Sequence, residues 1–209
     1  MQQLFHEGNF MEAATLTIHR TLDARQLDVR ARILGAARKL IHEQGHESVG
    51  MELIATTAGV SRATMYRYFA SKEHVVCEAA LDWGNQVAAR IPEVIAAATE
   101  PVGAIDVAIE QVVHEAASDL PMVRATMASV LAQGPVADEF RLAVREMFQA
   151  LLAGAVDSMP ESLDLSMKLL GRVFFADLAL LSVDDLGVEE CIAELKTAAW
   201  RLLTGNAND

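Results

Sequence analysis

The chain has 209 residues, of which 52% are hydrophobic and 5% aromatic, with 29 acidic residues against 17 basic ones. Alanine and leucine are abundant while glycine and proline are few, a balance that favours an all-helical protein over a β-rich one. No apolar run approaches the ~20 residues of a membrane span, the N-terminus lacks a signal-peptide pattern, and the two cysteines form no CxxC motif, so we expect a cytoplasmic protein with reduced thiols.

The first predicted helix follows an N-terminal arm. Residues 1–26 are predicted to form this loosely ordered arm, and the helical pattern begins at Asp28, a residue type that caps helices. The apolar stripe of the helix consists of Ile33, Leu34, Ala37, Leu40 and Ile41. Gly45 suits the position just beyond the helix end.

A short motif at the end of this helix is typical of zinc proteases. The segment HEQGH, residues 42–46, fits the pattern His-Glu-x-x-His, which on one helix places two imidazoles a turn apart beside a glutamate base. Gly45 is predicted to end the helix between the two histidines, and no third ligand is suitably placed. We therefore expect no metal site, no cofactor and no catalytic residues, and a metal-dependent hydrolase is the least favoured alternative.

A second, short helix is predicted at residues 51–57 and is followed by a tight turn. The residues predicted to be buried here are Leu53, Ile54 and Ala58. Gly59 can adopt a positive φ without steric cost, and the Ser61 hydroxyl can accept hydrogen bonds from the amides of the next helical turn. The pattern predicts a turn that leads directly into a third helix.

The third predicted helix is brief and the fourth is long. The third spans residues 62–69, with Met65 and Phe69 on its inner side, and Ser71 begins a capping segment for a fourth helix that runs to about Arg90. Two short helices across a glycine turn are typical of a helix-turn-helix, whose second helix enters the major groove of DNA.

The stretch IATTAGVSRATMYRYFASKEHV closely resembles the tetracycline-repressor (TetR) family of bacterial transcription regulators. The resemblance runs from about Arg30 through Ala80 and includes AGVS at residues 58–61 and SKE at residues 71–73. It implies an all-α fold with an N-terminal helix-turn-helix DNA-binding domain at residues 27–87, the helix-turn-helix itself at about 50–69. A C-terminal effector-binding and dimerisation domain at residues 88–209 is implied as well.

The same resemblance implies a set of residues that contact DNA. These residues are Ser61, Arg62, Ala63, Thr64, Tyr66, Arg67, Tyr68 and Lys72. The arginines can donate paired hydrogen bonds to guanine or phosphate, the hydroxyl groups can donate to phosphate oxygens, and Lys72 lies beside a helix N-terminus, which attracts anions. Tyr68 is expected either to join them or to pack against the first helix. A solvated basic face is the alternative for the whole set.

Two positions depart from the family pattern. Val49 and Gly50 stand where relatives usually have threonine, so the second helix has only glycine as a weak cap, unless Ser48 substitutes one turn earlier. Glu52 is acidic where some relatives carry arginine. These departures bear on the contacts of the second helix with DNA and leave the fold unchanged.

Charge is distributed unevenly along the chain. Residues 1–74 carry nine basic and eight acidic residues, a net charge of +1, whereas residues 75–209 carry eight and twenty-one, a net charge of −13. The first third of the chain is therefore free to approach a polyanion that the rest repels. An acidic surface also keeps a protein soluble, and both interpretations can hold.

The last two predicted helices are candidates for a dimer interface. The segment at residues 163–182 is apolar around most of its circumference, which favours a helix sandwiched between its own domain and a partner subunit. The alternative is a central core helix in a monomer. The last helix is predicted at residues 188–203. Residues expected at the interface are Leu170, Phe174, Leu178, Ile192, Leu195, Ala199 and Leu202.

An effector site is predicted in the C-terminal part because methionine and phenylalanine suit apolar ligands of irregular shape. The candidate residues, each of which is otherwise ordinary core, are Trp83, Glu110, His114, Met122, Arg124, Met127, Phe140, Met147 and Phe148. The predicted function is a homodimeric repressor that an unidentified small molecule releases from a palindromic double-stranded operator. The alternative is a regulator of the same fold that activates or that responds to a protein partner.

Overall fold

The computed structural model describes residues 22–96, 101–153 and 163–204. Within these ranges the chain forms ten α-helices and no strand, which confirms the predicted all-α fold. The helices are α1 (Ala24–Gln44), α2 (Met51–Thr57), α3 (Arg62–Tyr68), α4 (Lys72–Ala88), α5 (Ile91–Ala96), α6 (Pro101–Ser118), α7 (Leu120–Leu131), α8 (Pro135–Ala153), α9 (Leu163–Ser182) and α10 (Val188–Thr204).

Helix α1 begins one turn earlier than the sequence pattern predicts. The Gln26 amide donates to Asp23 Oδ1 (2.8 Å) and the Asp23 amide donates to Gln26 Oε1 (3.0 Å), a reciprocal capping box. The prediction of Asp28 as the cap was therefore wrong, and the predicted arm is helical from Ala24 onward. The rest of that arm, up to residue 21, lies outside the described residues.

Helix α1 ends where the sequence predicts. Gly45 has φ 76° and donates its amide to the Ile41 carbonyl (2.9 Å), so the backbone leaves the helix after Gln44. His42 and His46 consequently do not lie on one continuous helix, as the zinc-protease arrangement requires.

The chain divides into two compact units. The first contains the residues up to Asn85 together with Ala128–Met147, and the second contains Gln86–Met127 and the residues from Phe148 onward. The sequence predicts a boundary after residue 87, whereas the first division between the units follows Asn85. The inclusion of Ala128–Met147 in the first unit was not predicted, because helical periodicity does not indicate which helices pack together.

The first unit has its core between the N-terminal helices. Helix α2 packs on α1 and on α3, and the largest fully buried side chains of the unit are Ile33, Ile41, Ile54, Met65, Phe69, Leu81 and Phe140. A charged group lies within this core: Glu78 of α4 is only 2% exposed, accepts from the Arg30 guanidinium of α1, and faces His74 Nε2 at 3.8 Å. This ion pair links α1 to α4.

The second unit is built around three long helices. Helices α9 and α10 pack against each other, both contact α6, and α5 packs on α6. A Cβ added to Gly171 would lie 3.2 Å from the Phe148 ring, so the absence of a side chain lets α9 receive that ring closely. No helix in the described part of the chain is long and apolar enough to cross a membrane.

Candidate nucleic-acid interface

The turn between α2 and α3 sets the direction of α3. Gly59 has φ 65°, as predicted, and the Val60 amide donates to the Ala55 carbonyl (3.0 Å). Ser61 then caps α3, because its Oγ accepts from the Thr64 amide at 3.1 Å and lies 2.9 Å from Thr64 Oγ1. These local bonds fix the start of α3.

Helix α3 has one buried and one exposed face. Met65 is fully buried and anchors the helix in the core of the first unit. The exposed face carries Ser61, Arg62, Ala63, Tyr66 and Arg67, with Thr64 half-buried at its margin. Arginine guanidinium groups and hydroxyls thus cover the solvent side of a helix whose opposite side is apolar.

Tyr68 lies with the core and not with the exposed face. Its side chain is only 7% exposed, although the Arg67 guanidinium lies 5.4 Å from its ring centroid. This burial favours the packing alternative over a freely available hydroxyl. Helix α3 also ends at Tyr68, with Phe69 extended beyond it (φ −135°), one residue earlier than predicted.

Arg62 is held by a carboxylate and lies beside an aromatic ring. Its Nη1 donates to Glu52 Oε1 of α2, and its guanidinium carbon lies 5.7 Å from the Tyr66 ring centroid, within the range of a cation–π contact. In the sequence, Glu52 stands out only as a departure from the family pattern. The pairing connects residues ten apart, on two helices, and no local periodicity indicates it.

The start of α4 provides the remaining basic group. The Lys72 ammonium group donates to the Glu47 carbonyl (2.7 Å), which places it next to the loop that precedes α2. Ser71 Oγ accepts from the His74 amide (3.2 Å) and caps the helix, and the Ala70 amide donates to His74 Nδ1 (3.2 Å). Hydrogen bonds from the Glu73 backbone amide and from the Ser71 hydroxyl lower the pKa of the Glu73 carboxyl.

Helix α2 lacks a side-chain cap. Gly50 occupies the cap position with φ −122° and no side chain hydrogen-bonds the first turn, so Ser48 does not replace the missing threonine. Val49 is buried (1% exposed), which gives it a packing role. The prediction that Leu53 is buried was wrong, since it is 39% exposed and Ala55 takes its place in the core.

Residues 33–79 match the family model described as bacterial regulatory proteins, tetR family. Over this segment the chain is similar to the tetR family. The matched segment runs from α1 into α4 and so contains the capped turn, the exposed arginines of α3 and the buried Glu78. An uncharacterised HTH-type transcriptional regulator of Mycobacterium tuberculosis is 51% identical over 53 residues, 25% of this chain and 26% of its own length. The chain thus aligns with only about a quarter of that relative.

Longer but weaker similarities extend over both units of the chain. The HTH-type transcriptional regulator UidR of Escherichia coli is 27% identical over 188 residues, 85% of this chain and 94% of that protein. A TetR transcriptional regulator from a Rhodococcus species has a TM-score of 0.71 at 21% identity, covering 88% of this chain and 100% of that one. Thermus thermophilus FadR, a TetR-family repressor solved with lauroyl-CoA, has a TM-score of 0.66 at 21% identity, covering 86% and 96%. These two solved structures show that the fold is shared over 86–88% of the chain.

The structure distributes the predicted effector residues over both units. Trp83, Phe140 and Met147 belong to the first unit, and the second contains Glu110, His114, Met122, Arg124, Met127 and Phe148. Within the second unit, Glu110 is paired with Lys196, the Arg124 Nε donates to the Ser182 carbonyl (2.6 Å), and His114 is exposed. The two charged residues of this set therefore already have partners within the chain.

Most residues predicted at the dimer interface are buried inside one chain. Leu170, Leu178, Ile192, Leu195 and Ala199 are all at most 7% exposed, and Phe174 and Leu202 are half-buried. The five buried side chains belong to the core of the chain and offer almost no surface to a partner subunit, so their assignment to the interface was wrong. The apolar groups that these helices expose are Leu165 (63%), Leu180 (39%), Val183 (63%, just beyond α9) and Trp200 (60%).

A buried carboxyl group in the second unit was not predicted. Asp177 of α9 is 5% exposed, and among the described residues its Oδ2 has no hydrogen-bond partner. Burial, together with the negative charge of Glu194, raises the pKa of Asp177 to about 6. Helical periodicity places Asp177 among the apolar residues of α9, which was the only signal available in the sequence.

Both thiols are buried. Burial raises the pKa of Cys77, and it raises the pKa of Cys191 to about 11, with Asp177 and Glu194 adding to the shift. Neither sulfur is therefore an ionised nucleophile near neutral pH.

Proposed function

We propose that this protein is a homodimeric, sequence-specific DNA-binding repressor that inserts α3 into the major groove of a palindromic operator. The observation that carries the proposal is the exposed face of α3, which combines two arginines with hydroxyl groups on a helix anchored by Met65. The match of residues 33–79 to the tetR family model supports the same function.

Each group on this face has a distinct role in the proposal. Arg62 and Arg67 donate to base edges, since a guanidinium matches the O6 and N7 acceptors of guanine. Tyr66, which is 46% exposed, presents its hydroxyl to phosphate. Lys72 is a phosphate contact that depends on charge and not on base sequence. The arginines therefore provide specificity and Lys72 provides affinity.

The proposed dimer interface is the exposed stripe of α9 and α10. Along α9 the positions Leu165, Leu169, Ala176 and Leu180 follow helical spacing on the solvent side, and Leu165 and Leu180 are exposed. On α10 the exposed positions Ala193, Thr197 and Trp200 lie three or four residues apart. Small residues amid larger apolar ones allow two helices to approach closely. A two-fold dimer of this kind matches a two-fold symmetric operator.

The proposed effector is an apolar small molecule bound by the second unit. Two solved neighbours support an acyl chain as the apolar part: Thermus thermophilus FadR is described with lauroyl-CoA and Bacillus subtilis FadR with stearoyl-CoA. The residues of the second unit include six basic and sixteen acidic ones, a net charge of −10. This charge opposes the phosphates of a coenzyme A group, so we favour an uncharged ligand over an acyl-CoA.

Binding of α3 variants to DNA tests the proposal. A duplex enriched from a random-sequence pool by the wild-type protein serves as the probe. Arg62→Ala or Arg67→Ala should each weaken binding by about 1–3 kcal/mol and relax the preference at one base pair per half-site, whereas Lys72→Ala should weaken binding to all sequences alike. Arg145→Ala, an exposed arginine of α8, is the matched control. If both α3 variants bind like the wild type, α3 does not contact the bases.

A further inference from the structure

Glu52 is the one acidic residue on the helix-turn-helix. Between Glu47 and Glu73 the sequence contains three basic residues, Arg62, Arg67 and Lys72, and Glu52 alone opposes them. It lies in the first turn of α2, and its backbone carbonyl accepts from the Thr56 hydroxyl (2.9 Å). A carboxylate in this position reduces the attraction of the domain for a polyanion, so its presence there requires a reason other than affinity.

The contact between Glu52 and Arg62 does not serve the fold. The two side chains are 73% and 67% exposed, and ion pairs in such positions contribute little to folding because water and salt screen them. What the pair does is orient the guanidinium group. Glu52 holds Nη1, and the Tyr66 ring lies 5.7 Å from the guanidinium carbon.

We propose that Glu52 is a positioning and specificity-determining residue, which orients Arg62 for a guanine and suppresses binding to non-specific DNA. This inference rests on the proposed function. A guanidinium group has five N–H donors in a planar fork, and a carboxylate at Nη1 leaves the Nη2 and Nε side available for the O6 and N7 acceptors of guanine. An arginine oriented in this way loses less conformational entropy on binding to the correct base.

The same carboxylate reduces binding to phosphates. A free arginine next to any duplex can rotate to a phosphate and release a counterion, which strengthens binding to every sequence. Paired with Glu52, Arg62 belongs to a group with no net charge, and a phosphate near it also meets the carboxylate. Binding of Arg62 to a phosphate therefore requires breaking its ion pair with Glu52, which weakens non-specific complexes. Binding of Arg62 to guanine leaves the ion pair intact.

Glu52→Gln is the variant that isolates the charge, because glutamine keeps the length and one acceptor oxygen. The full-length wild type, Glu52→Gln, and Glu47→Gln are compared on the enriched duplex and on a 30-base-pair duplex of random sequence, over a series of salt concentrations. Glu47 is an exposed acid in the loop before α2, so its variant changes the net charge of the same domain equally. Circular dichroism checks that each variant is folded.

We expect Glu52→Gln to bind the random duplex more tightly, by up to about eightfold at 0.1 M salt for each additional phosphate that a subunit binds, with a steeper salt dependence. The ratio of specific to non-specific affinity should fall, and the preference for guanine opposite Arg62 should weaken. Glu47→Gln should change neither the ratio nor the preference. In an Arg62→Ala background, Glu52→Gln should lose its effect on the guanine preference.

Two outcomes overturn the inference in distinguishable ways. If the wild type enriches a specific duplex but Glu52→Gln shows the same ratio of affinities, salt dependence and base preference, the role of Glu52 is refuted and the proposed function stands. If Glu47→Gln matches Glu52→Gln in every measurement, the effect is one of net charge and the positioning role is refuted. If the wild type enriches no sequence, the proposed function fails and this inference fails with it.

Discussion

Replacing Asp177 by asparagine should stabilise the second unit at neutral pH. Asp177 of α9 is buried, and the neighbouring residues of α10 that affect it are Glu194 and Cys191. Neither of them carries a positive charge that could offset the negative charge of an ionised Asp177. Ionising the carboxyl in this position is unfavourable, whereas in the unfolded chain it is surrounded by water. Asparagine has nearly the same shape and cannot ionise, so the variant removes the charge and little else.

The size and the pH window of the effect follow from the raised pKa. The pKa of Asp177 is about 6 in the folded protein against an ordinary value of 3.8. Below pH 3.8 the group is protonated in both states and costs nothing. Between pH 3.8 and 6 the unfolded chain releases its proton first, so the wild type loses stability as pH rises, and above pH 6 the loss is constant. At 1.36 kcal/mol per pKa unit its ceiling is about 3 kcal/mol.

Urea unfolding of the wild type and of Asp177→Asn between pH 4 and pH 8 measures this difference. Trp200 of α10 is the reporter when both proteins carry Trp83→Phe, since the chain has two tryptophans. The free energy of unfolding of Asp177→Asn should exceed that of the wild type by an amount that grows mostly between pH 4 and 6 and then stays constant. Asp185→Asn, an exposed aspartate in the loop before α10, should show no such growth. A constant difference over the whole range, or one that shrinks as pH rises, would refute the reasoning.

Removing one partner of the buried Arg30–Glu78 pair, by Arg30→Met or Glu78→Leu, should destabilise the first unit by about 3 kcal/mol, because it leaves an unpaired buried charge. The double variant should be closer in stability to the wild type, and thermal unfolding of all four proteins measures these differences. Leu180→Glu should dissociate the dimer in sedimentation, and Leu142→Glu, on a leucine of α8 that is more exposed (49% against 39%), should not. A monomeric wild type at micromolar concentration contradicts the proposed interface. An inducer should lower the affinity of the protein for its operator about 5–150-fold, and the operator should lower the affinity for the inducer by the same factor, as calorimetry can measure. If the affinity for the inducer is the same with and without operator, the alternative that the protein responds to a protein partner is favoured.

The parts of the fold that the sequence predicts well depend on local chemistry. Gly45 ends α1, Gly59 forms the turn, and Ser61 caps α3, and in each case the residue type has few other conformations or bonds to offer. The start of α1 was missed because Asp23 and Gln26 cap reciprocally, and Asp28 offered an equally suitable residue type one turn later. The start of a helix can therefore be predicted from a capping residue only when the residue three positions later is examined as well.

Packing between helices was predicted less well. Helix α9 is apolar around most of its circumference, and the sequence does not tell which stripe packs inside, so Leu170 and Leu178 were assigned to the partner instead of to the core. The Arg62–Glu52 pair and the burial of Asp177 likewise depend on the angle at which two helices cross. Sequence periodicity gives the faces of a helix but not the identity of the neighbour on each face.

Photo-crosslinking from position 66 tests the central claim most directly. With the photoreactive analogue p-benzoyl-phenylalanine in place of Tyr66, an exposed aromatic residue of α3, irradiation in the presence of the enriched duplex should attach the protein to DNA inside each half-site. The same analogue at Leu131, which is 81% exposed at the end of α7, should give no crosslink. A crosslink from position 131 together with none from position 66 would contradict the assignment of α3 as the DNA-binding helix.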